Sequence, residues 1–212
     1  REIYYAKIDF FTNVAHEIRT PLTLINGPLE NILLKKTVDP EIREDLNIMK
    51  QNTERLLSLT NQLLDFRKTE SQGFRLNFAE CNVTEVLKET YNRFTSLARQ
   101  RELDFVLNVG EQDFYAHVNK EAFTKIVSNL LNNAVKYAET YVHVFLEMNG
   151  IGEKRMFYIR TVNDGVIIPN EMKEEIFKPF VRFNEKEDGK VTTGTGIGLA
   201  LSRSLAELHQ GS

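Results

Sequence analysis

The chain has 212 residues, 27% of them charged, and a formal net charge of −3. It has no dominant basic field, so nucleic-acid binding is not expected to be its main task. No run approaches the roughly 18 apolar residues of a membrane span. A single cysteine, Cys81, excludes an intrachain disulfide and a cysteine-based zinc cluster. The length allows one or two domains, in a soluble chain that we expect to work in a reducing compartment.

The first predicted helix covers residues 1 to about 36. Its apolar residues recur every three or four positions, at Phe11, Val14, Ile18, Leu22, Ile25 and Leu29. His16 lies just off this stripe, where it can reach water, and Thr20 shares its face. Pro21 removes the amide that would bond the carbonyl of Glu17, so we expect a bend just after the histidine.

The second predicted helix runs from about residue 40 to residue 70, because Asp39 suits an N-cap and Pro40 a first helical position. Its apolar side is marked by Leu46, Met49, Leu56, Leu57, Leu63, Leu64 and Phe66. Two helices joined by a short turn form an antiparallel hairpin, and a lone hairpin leaves both stripes half exposed. Pairing two copies would bury them in a four-helix bundle, which predicts a homodimer. From periodicity alone, a structural coiled coil with an incidental histidine is an equal alternative.

The period of the pattern changes after residues 71–73, which we expect to act as a hinge. Strands are then predicted over 74–78, 103–109, 114–118, 141–148 and 155–162, and helices over 83–101, 120–138, 172–177 and 196–209. Asn82 or Thr84 is expected to cap the first of these helices. The mixture predicts an α+β sandwich with helices on one face of the sheet.

Asparagines are concentrated in the helix predicted over 120–138. Asn129, Asn133 and Lys136 follow one another at steps of four and three, so they share one face. Amide oxygens suit Mg²⁺, which keeps several waters and needs few protein ligands. A neighbouring stripe, which we expect to pack on the sheet, comprises Ile126, Leu130, Ala134 and Tyr137. A solvated helix face is the plainer alternative, although Asn is a weak helix former.

A glycine-rich segment opens the last predicted helix and reads Gly194, Thr195, Gly196, Ile197, Gly198 and Leu199. Glycines there let backbone amides approach an anion, and a helix N-terminus favours negative charge. No strand leads into the segment and no GKS or GKT follows it, which excludes the dinucleotide fingerprint and the P-loop. We expect the polar residues 184–193 before it to form a mobile lid.

These motifs together resemble those of the sensor histidine kinases, over essentially the whole chain and in the family's order. HEIRTP resembles the family's H-box, NLLNNAVKY its N-box, IFKPFVRF its F-box and GTGIGLAL its second glycine box; the wider FFTNVAHEIRTPLTLINGPLE is similar to the hybrid two-component type. The resemblance implies a dimerisation and histidine phosphotransfer domain over 1–72 and a catalytic ATP-binding domain of the GHKL type over 73–212. It also implies one or two further strands after Ser212.

For the first domain, the resemblance implies that His16 accepts a phosphoryl group from ATP and that Glu17 does acid/base work. It implies that the group then passes to an aspartate of a response-regulator receiver domain, in the same chain or a separate one. Thr20 would position water for the reverse task of dephosphorylating the receiver. Because the chain opens within a helical pattern, we expect a piece of a larger receptor, the cytoplasmic portion of an inner-membrane protein.

For the second domain, the resemblance implies an ATP and Mg²⁺ site. Asn133 would coordinate the metal, Asn129 would help to hold metal and phosphates, Lys136 would meet phosphate, and Tyr137 would lie near the nucleotide. The second glycine box, with Gly194, Thr195, Gly196, Gly198 and Leu199, would close over the triphosphate. Phe177 and Phe180 would mark the lid hinge, and Lys178 and Arg182 are candidates for phosphate contact.

The first glycine box departs from the family's pattern of Asp-x-Gly-x-Gly before Ile-Pro. Aligned on Gly165, the adenine-reading aspartate becomes Asn163, with Asp164 one place late, and the second glycine becomes Ile167. An Asn oxygen can still accept a bond from the adenine amine, without charge. A small backbone shift would bring in Asp164 instead, so both residues are candidates.

Parts of the sequence also suggest three functions other than kinase activity. A zinc protease is excluded, because the position of the second ligand in an HExxH motif holds Thr20. A nucleotide-regulated dimeric signalling module with little kinase activity is favoured by the altered glycine box. An ATP-driven clamp of the same superfamily is disfavoured by His16 in its H-box. We expect structural roles for His117, His143 and His209.

Overall fold

The structure is a computed structural model that describes residues 2–35, 39–71, 75–150, 156–183 and 196–212, with side chains from Val14 onward. It divides into two compact units, Arg1–Phe74 and Arg75–Ser212. Each unit is described by itself.

The first unit is a hairpin of α1 (Glu2–Leu33) and α2 (Pro40–Glu70). As predicted, Asp39 caps α2, its carboxylate accepting the Glu41 amide at 2.9 Å, with Pro40 at the first position. The last turn of α1 has no basic residue of its own. Arg43 of α2 takes that role, because its guanidinium donates to the carbonyls of Leu33 and Lys35, both at 2.9 Å. The helices bury Ala15, Leu22, Leu29, Leu63, Leu64 and Phe66. No helix in the described part of the chain is long and apolar enough to cross a membrane.

The second unit is an α/β domain. Its elements in chain order are β1 (Ala79–Asn82), α3 (Val83–Gln100), β2 (Asp104–Asn108), β3 (Tyr115–Val118), α4 (Lys120–Tyr137), β4 (Tyr141–Asn149), β5 (Met156–Asn163) and α5 (Gly198–Leu208). Strands β1 and β3 pair antiparallel; β4 lies between β2, to which it is parallel, and β5, to which it is antiparallel. The helical hairpin and the mixed sheet confirm the predicted fold class.

The core of the second unit lies between the three-stranded sheet and helices α3 and α4. Alternate residues of β4, Val142, Val144 and Leu146, are buried, whereas the residues between them are half-buried. The helices contribute Val83, Leu87, Phe123, Val127, Leu131 and Val135 to the same cluster. Asn82 is the N-cap of α3, and its side chain accepts the Glu85 amide at 3.1 Å. Of the two candidate caps, Asn82 is therefore the one used.

Two predicted elements were wrong. The alternation over 74–78 predicted a strand, but 75–78 has no regular structure and β1 starts at Ala79, where the backbone meets its partner β3. The helix predicted over 172–177 is instead a pair of short 3₁₀ turns, Asn170–Met172 and Glu175–Phe177. Residues 72–73 of the expected hinge, 151–152 of the expected hairpin turn and the expected lid at 184–193 lie outside the described residues.

Candidate functional site

The histidine of the first unit lies on the open side of its helix. His16, Glu17 and Thr20 are all exposed, whereas Ala15 and Leu22 of the same helix are buried. The packing of the hairpin therefore turns the imidazole toward solvent, where it can meet a second molecule or domain.

The helix around His16 lacks two backbone hydrogen bonds. Helix α1 continues through Pro21 and Pro28, and neither proline has an amide hydrogen. The carbonyls of Glu17 and Leu24 therefore have no donor four residues along, and the first of these gaps follows the histidine directly. The bend expected at this point stays a prediction.

In the second unit, the asparagine face lies on α4, and one of these asparagines, Asn129, connects α4 to α5 by hydrogen bonds. The Asn129 amide nitrogen donates to the Gly198 carbonyl and to the Ser202 hydroxyl, both at 3.2 Å. Asn133 is half-buried one turn further along the helix. The structure thus brings the predicted N-box next to the start of the helix that follows the glycine-rich segment.

The C-terminal turn of α4 presents Lys136 and Tyr137. The Lys136 ammonium donates to the Tyr137 hydroxyl at 2.8 Å and lies 4.4 Å from the centroid of that ring. Tyr137 is 42% exposed, so its expected place in a stripe on the sheet was wrong. Ala134 of the expected stripe is buried in the core, but its other buried neighbours on α4 are Phe123, Val127, Leu131 and Val135 rather than Ile126 and Leu130. Tyr137 therefore stands partly in solvent, with Lys136 over its ring.

Asp164 holds the turn between α4 and β4. Its carboxylate accepts the amides of Glu139 at 2.9 Å, Thr140 at 2.9 Å and Tyr141 at 3.2 Å, and also the Thr140 hydroxyl. Desolvation raises the pKa of Asp164, but the hydroxyl and amide hydrogen bonds lower it by more, so the net pKa lies well below its ordinary value of 3.8. The aspartate stays ionised and its oxygens are occupied by backbone donors.

Gly165 follows Asp164 at a close approach to the end of α4. A Cβ at this position would lie 1.9 Å from the Tyr137 carbonyl oxygen and 3.0 Å from the Asn163 amide nitrogen. Only glycine fits at this position. The close approach places Asn163 next to the C-terminal end of α4, where Tyr137 lies. Asn163 and Asp164 are the two candidates for binding the adenine amine. The Asp164 carboxylate is occupied by the amides of the turn between α4 and β4, which leaves Asn163 as the candidate. Ile167, in place of the family's second glycine, is 87% exposed.

The segment around Phe180 meets the glycine-rich segment. Gly196 has a φ of +69°, and a Cβ there would lie 2.7 Å from the Val181 carbonyl oxygen. Phe180 also has a positive φ, 69°, and its amide donates to the Gly196 carbonyl at 2.9 Å. Leu199 is half-buried in the first turn of α5. Gly194 and Thr195 lie outside the described residues.

The remaining predicted contacts of the F-box have protein partners. Phe177 packs under the Arg203 guanidinium at 4.2 Å, and Arg203 also pairs with Glu174 at 3.0 Å. Lys178 pairs with Glu175, and Arg182 also has a partner within the protein. The contacts of Phe177 and Glu174 with Arg203 fasten the F-box to α5, an arrangement that sequence reasoning missed because Arg203 carries no motif signal.

Of the three other histidines, His209 and His143 have protein partners; His117 is exposed on β3, and its structural role stays a prediction. His209 accepts the Asn119 amide at 3.1 Å through Nε2, and its Nδ1 lies 2.7 Å from the Leu205 carbonyl, so Nδ1 carries the proton. His143 lies 3.2 Å from Asp104 on the sheet.

The oxygen donors on α4 suit a cation that binds together with a phosphate-bearing ligand. Within the described residues, no group of three or more His, Cys, Asp or Glu side chains could hold a metal ion. The amide oxygens of Asn129 and Asn133 are neutral oxygen donors on one helix face, which suits Mg²⁺ bound mainly by water and phosphate. Lys136 adds a positive charge and Tyr137 a partly exposed ring at the same end of α4.

Two family profiles match the chain. Residues 6–72 match the His Kinase A (phospho-acceptor) domain, and residues 118–212 match the histidine kinase-, DNA gyrase B- and HSP90-like ATPase. The first match contains His16, and the second contains α4, β4, β5 and α5.

Named relatives agree with these matches. "Histidine kinase P4" of Formosa agariphila is 33% identical over 213 residues, 100% of this chain and 15% of its own length. "Sensor histidine kinase WalK" of Bacillus subtilis is 28% identical over 204 residues, 96% of this chain and 33% of its own. The solved structure of full-length ShkA in complex with AMPPNP has a TM-score of 0.75 at 23% identity, covering 96% of this chain and 42% of that one, which shows the shared fold.

A phospho-acceptor hairpin followed by an ATPase-type α/β domain defines the core of a two-component sensor. The chain belongs to the sensor histidine kinase family. It spans a third or less of the length of the curated relatives named above.

Proposed function

We propose that this chain takes the terminal phosphoryl group of ATP onto His16 and passes it to an aspartate of a response-regulator receiver domain. The observation that carries the proposal is the exposure of His16 within the segment that matches a phospho-acceptor domain. The ATPase-type match over the second unit supports a nucleotide site on the same chain.

The nucleotide site lies along α4 and its neighbours. Mg²⁺, when bound with ATP, neutralises charge on the phosphates. Asn133 and Asn129 offer amide oxygens to it, and Lys136 offers its ammonium group to a phosphate oxygen. The Asn163 side-chain oxygen accepts a hydrogen bond from the adenine amine, and Asp164 and Gly165 fix the position of Asn163. The phosphates are received by the glycine-rich segment, which includes Gly194, Thr195, Gly196, Gly198 and Leu199.

His16 acts as the nucleophile. Its neutral imidazole presents the Nε2 lone pair to the terminal phosphorus, a nitrogen–phosphorus bond forms, and the phosphorus–oxygen bond to ADP breaks. The Nδ1 proton is then shared with Glu17, whose carboxylate balances the charge of the phosphorylated ring. Adjacent helix positions point about 100° apart, and the missing hydrogen bond at Pro21 gives the helix the freedom that this contact needs.

The phosphorylated His16 next meets the receiver aspartate, and Thr20 positions water when the receiver is dephosphorylated. Two copies of the hairpin pair as a four-helix bundle, which covers the apolar residues that one copy leaves exposed. We also propose that the chain works on the cytoplasmic side as part of a membrane receptor.

A second candidate function is a nucleotide-regulated dimeric module with weak kinase activity. It is favoured by Ile167, which stands exposed where the family has a glycine, and by the uncharged Asn163 at the base-reading position. Both changes would weaken ATP binding without touching His16.

The test is incubation with γ-labelled ATP and Mg²⁺ of the wild-type chain, His16→Gln and Asn133→Ala. We expect acid-labile, base-stable label on the wild type alone. ATP binding without label would favour the regulatory module. Label that persists on His16→Gln would show that another residue is the nucleophile and would overturn the proposal.

A further inference from the structure

The contact between α4 and α5 fixes the orientation of one side-chain amide. The Asn129 nitrogen lies 3.2 Å from the Gly198 carbonyl oxygen. A carbonyl oxygen only accepts hydrogen bonds, so the NH₂ end of the amide must be the end that faces the Gly198 carbonyl. The same nitrogen donates its second hydrogen to Ser202.

Ser202 belongs to this contact rather than to the solvent-exposed side of α5. Its side chain is only 5% exposed, between the buried residues Leu201 and Leu205. Its hydroxyl oxygen is 3.2 Å from the Asn129 nitrogen, and a hydroxyl has lone pairs to accept that hydrogen. The two acceptors, one backbone and one side chain, use both hydrogens of the amide.

The oxygen of Asn129 is therefore left as an acceptor beside the start of α5, 3.6 Å from where a Cβ of Gly198 would stand. In the described part of the chain, its hydrogen bonds run only through the nitrogen. Free rotation of an amide would offer oxygen and nitrogen in turn, and a nitrogen donor repels a cation. Holding the nitrogen on α5 keeps an oxygen ready for a hard cation, which prefers oxygen ligands.

We infer that Ser202 is a positioning residue, which holds the Asn129 amide so that its oxygen serves the Mg²⁺ of the bound nucleotide. This inference rests on the proposed ATP and Mg²⁺ site. It gives α5 a role that the glycine-rich segment at its start does not explain, and it predicts that Ser202 affects the metal-dependent part of nucleotide binding.

The test is calorimetric titration of the 212-residue chain with a non-hydrolysable ATP analogue, once with saturating Mg²⁺ and once with EDTA. For Ser202→Ala we expect affinity about fivefold weaker with Mg²⁺, the effect of one lost hydrogen bond, and unchanged affinity in EDTA. Ser202→Thr, which keeps the hydroxyl, restores the Mg²⁺ effect. Ser204→Ala, a half-buried serine of the same helix, serves as the matched control and binds like the wild type.

The outcomes separate this inference from the proposed function. If the wild type binds no analogue with Mg²⁺, the proposed nucleotide site fails and the inference fails with it. If the wild type binds but Ser202→Ala is unchanged, or weakens equally with and without Mg²⁺, only the positioning role is overturned.

A measurement on the wild type covers the case in which Ser202→Ala does not fold. The side-chain amide protons of Asn129 should exchange with water more slowly than those of Asn132, which is exposed on the same helix. Equal exchange rates would show that the amide is not held and would overturn the inference.

Discussion

Asp164 and Asn163 are adjacent in the chain, yet their side chains have different surroundings. The Asp164 carboxylate accepts the Thr140 amide and hydroxyl and two further amides of the same turn. Asn163 lies at the end of β5, where its amide nitrogen faces Gly165. The aspartate is thus a structural residue of the site, and the asparagine is the one available to a base.

The first prediction separates these two residues. Asp164→Asn removes a carboxylate from the turn and should lower the melting temperature, whereas Asn163→Ala should weaken ATP binding about fivefold, by the loss of one hydrogen bond, with little change in melting temperature. Thermal melts and calorimetric titrations of both variants measure the two effects. The reverse pattern would identify Asp164 as the base reader.

The effect of Asp164→Asn should depend on pH. Because folding lowers the pKa of Asp164, its stabilising contribution is fully present above 3.8, the ordinary value, and is lost as the pH falls below it toward the folded-state pKa. The difference in melting temperature between wild type and variant should therefore be constant near neutral pH and shrink below about pH 4. A constant difference down to pH 2 would contradict the assignment.

At the scale of elements, the C-terminus of α4 depends on the side chain of Arg101, the residue that follows α3. The Arg101 guanidinium donates to the Lys136 carbonyl at 2.8 Å, to the Ala138 carbonyl at 3.2 Å and to the Val135 carbonyl. The last carbonyls of a helix lack backbone donors, and a cation there also interacts favourably with the negative end of the helix dipole. Arg101 thereby fixes the turn that presents Lys136 and Tyr137.

The second prediction removes this cap. Arg101→Ala should lower the free energy of unfolding by about 2 kcal/mol, since its hydrogen bonds are charge-assisted. Arg101→Lys should restore less than half, because an ammonium cannot span several carbonyls as a planar guanidinium does. Urea unfolding measures both, with Arg99→Ala, an exposed arginine in the last turn of α3, as the control. A loss as large in Arg99→Ala would point to general charge rather than capping.

The third prediction contrasts two glycines of the predicted boxes. Gly165→Ala would place a Cβ 1.9 Å from the Tyr137 carbonyl oxygen, so the end of α4 must move, at a cost of about 4 kcal/mol or more. Gly198→Ala meets only the Asn129 side chain at 3.6 Å, an ordinary contact, and should be neutral or stabilise by about 0.5 kcal/mol. Urea unfolding of the two variants compares them; equal losses would contradict the contact geometry.

The sequence predicted elements well where the signals were local. The Asp39–Pro40 start of α2, the Asn82 cap of α3 and the helix over Lys120–Tyr137 all follow from residues within a few positions. The prediction of a strand over 74–78 was wrong, because pairing with β3 decides where β1 begins. The helix predicted over 172–177 was also wrong, because a short apolar pattern does not distinguish a single 3₁₀ turn from a longer helix.

The candidate site was predicted as a set of residues but not as a network. Spacing placed Asn129, Asn133 and Lys136 on one face, but it could not show that Asn129 is tied to α5. Nor could it show that Asp164 serves the turn, because its partners are backbone amides about 24 positions away. Contacts between side chains and distant backbone groups leave no periodic trace in a sequence.

At the scale of the whole molecule, the hairpin leaves two regular apolar rows uncovered. On α1 these are Ile18, Ile25 and Ile32, and on α2 they are Ile42, Met49 and Leu56, each set spaced by seven residues. Ile25 is 45% exposed and Met49 is 51% exposed. A seven-residue spacing is the seam of packed helices, so a second hairpin would complete a four-helix bundle.

The last prediction places a charge in this seam. Ile25→Glu combined with Met49→Glu would carry two unpaired carboxylates out of water in each protomer, which costs several kcal/mol per charge. Sedimentation velocity should therefore show a dimeric wild type and a monomeric double variant, with helix content retained by circular dichroism. Leu24→Glu is the matched control, because Leu24 is also exposed on α1 but lies about 100° around the helix from Ile25. A dimeric double variant, or a monomeric Leu24→Glu, would mean that the copies meet through another face and that the two rows have a different partner.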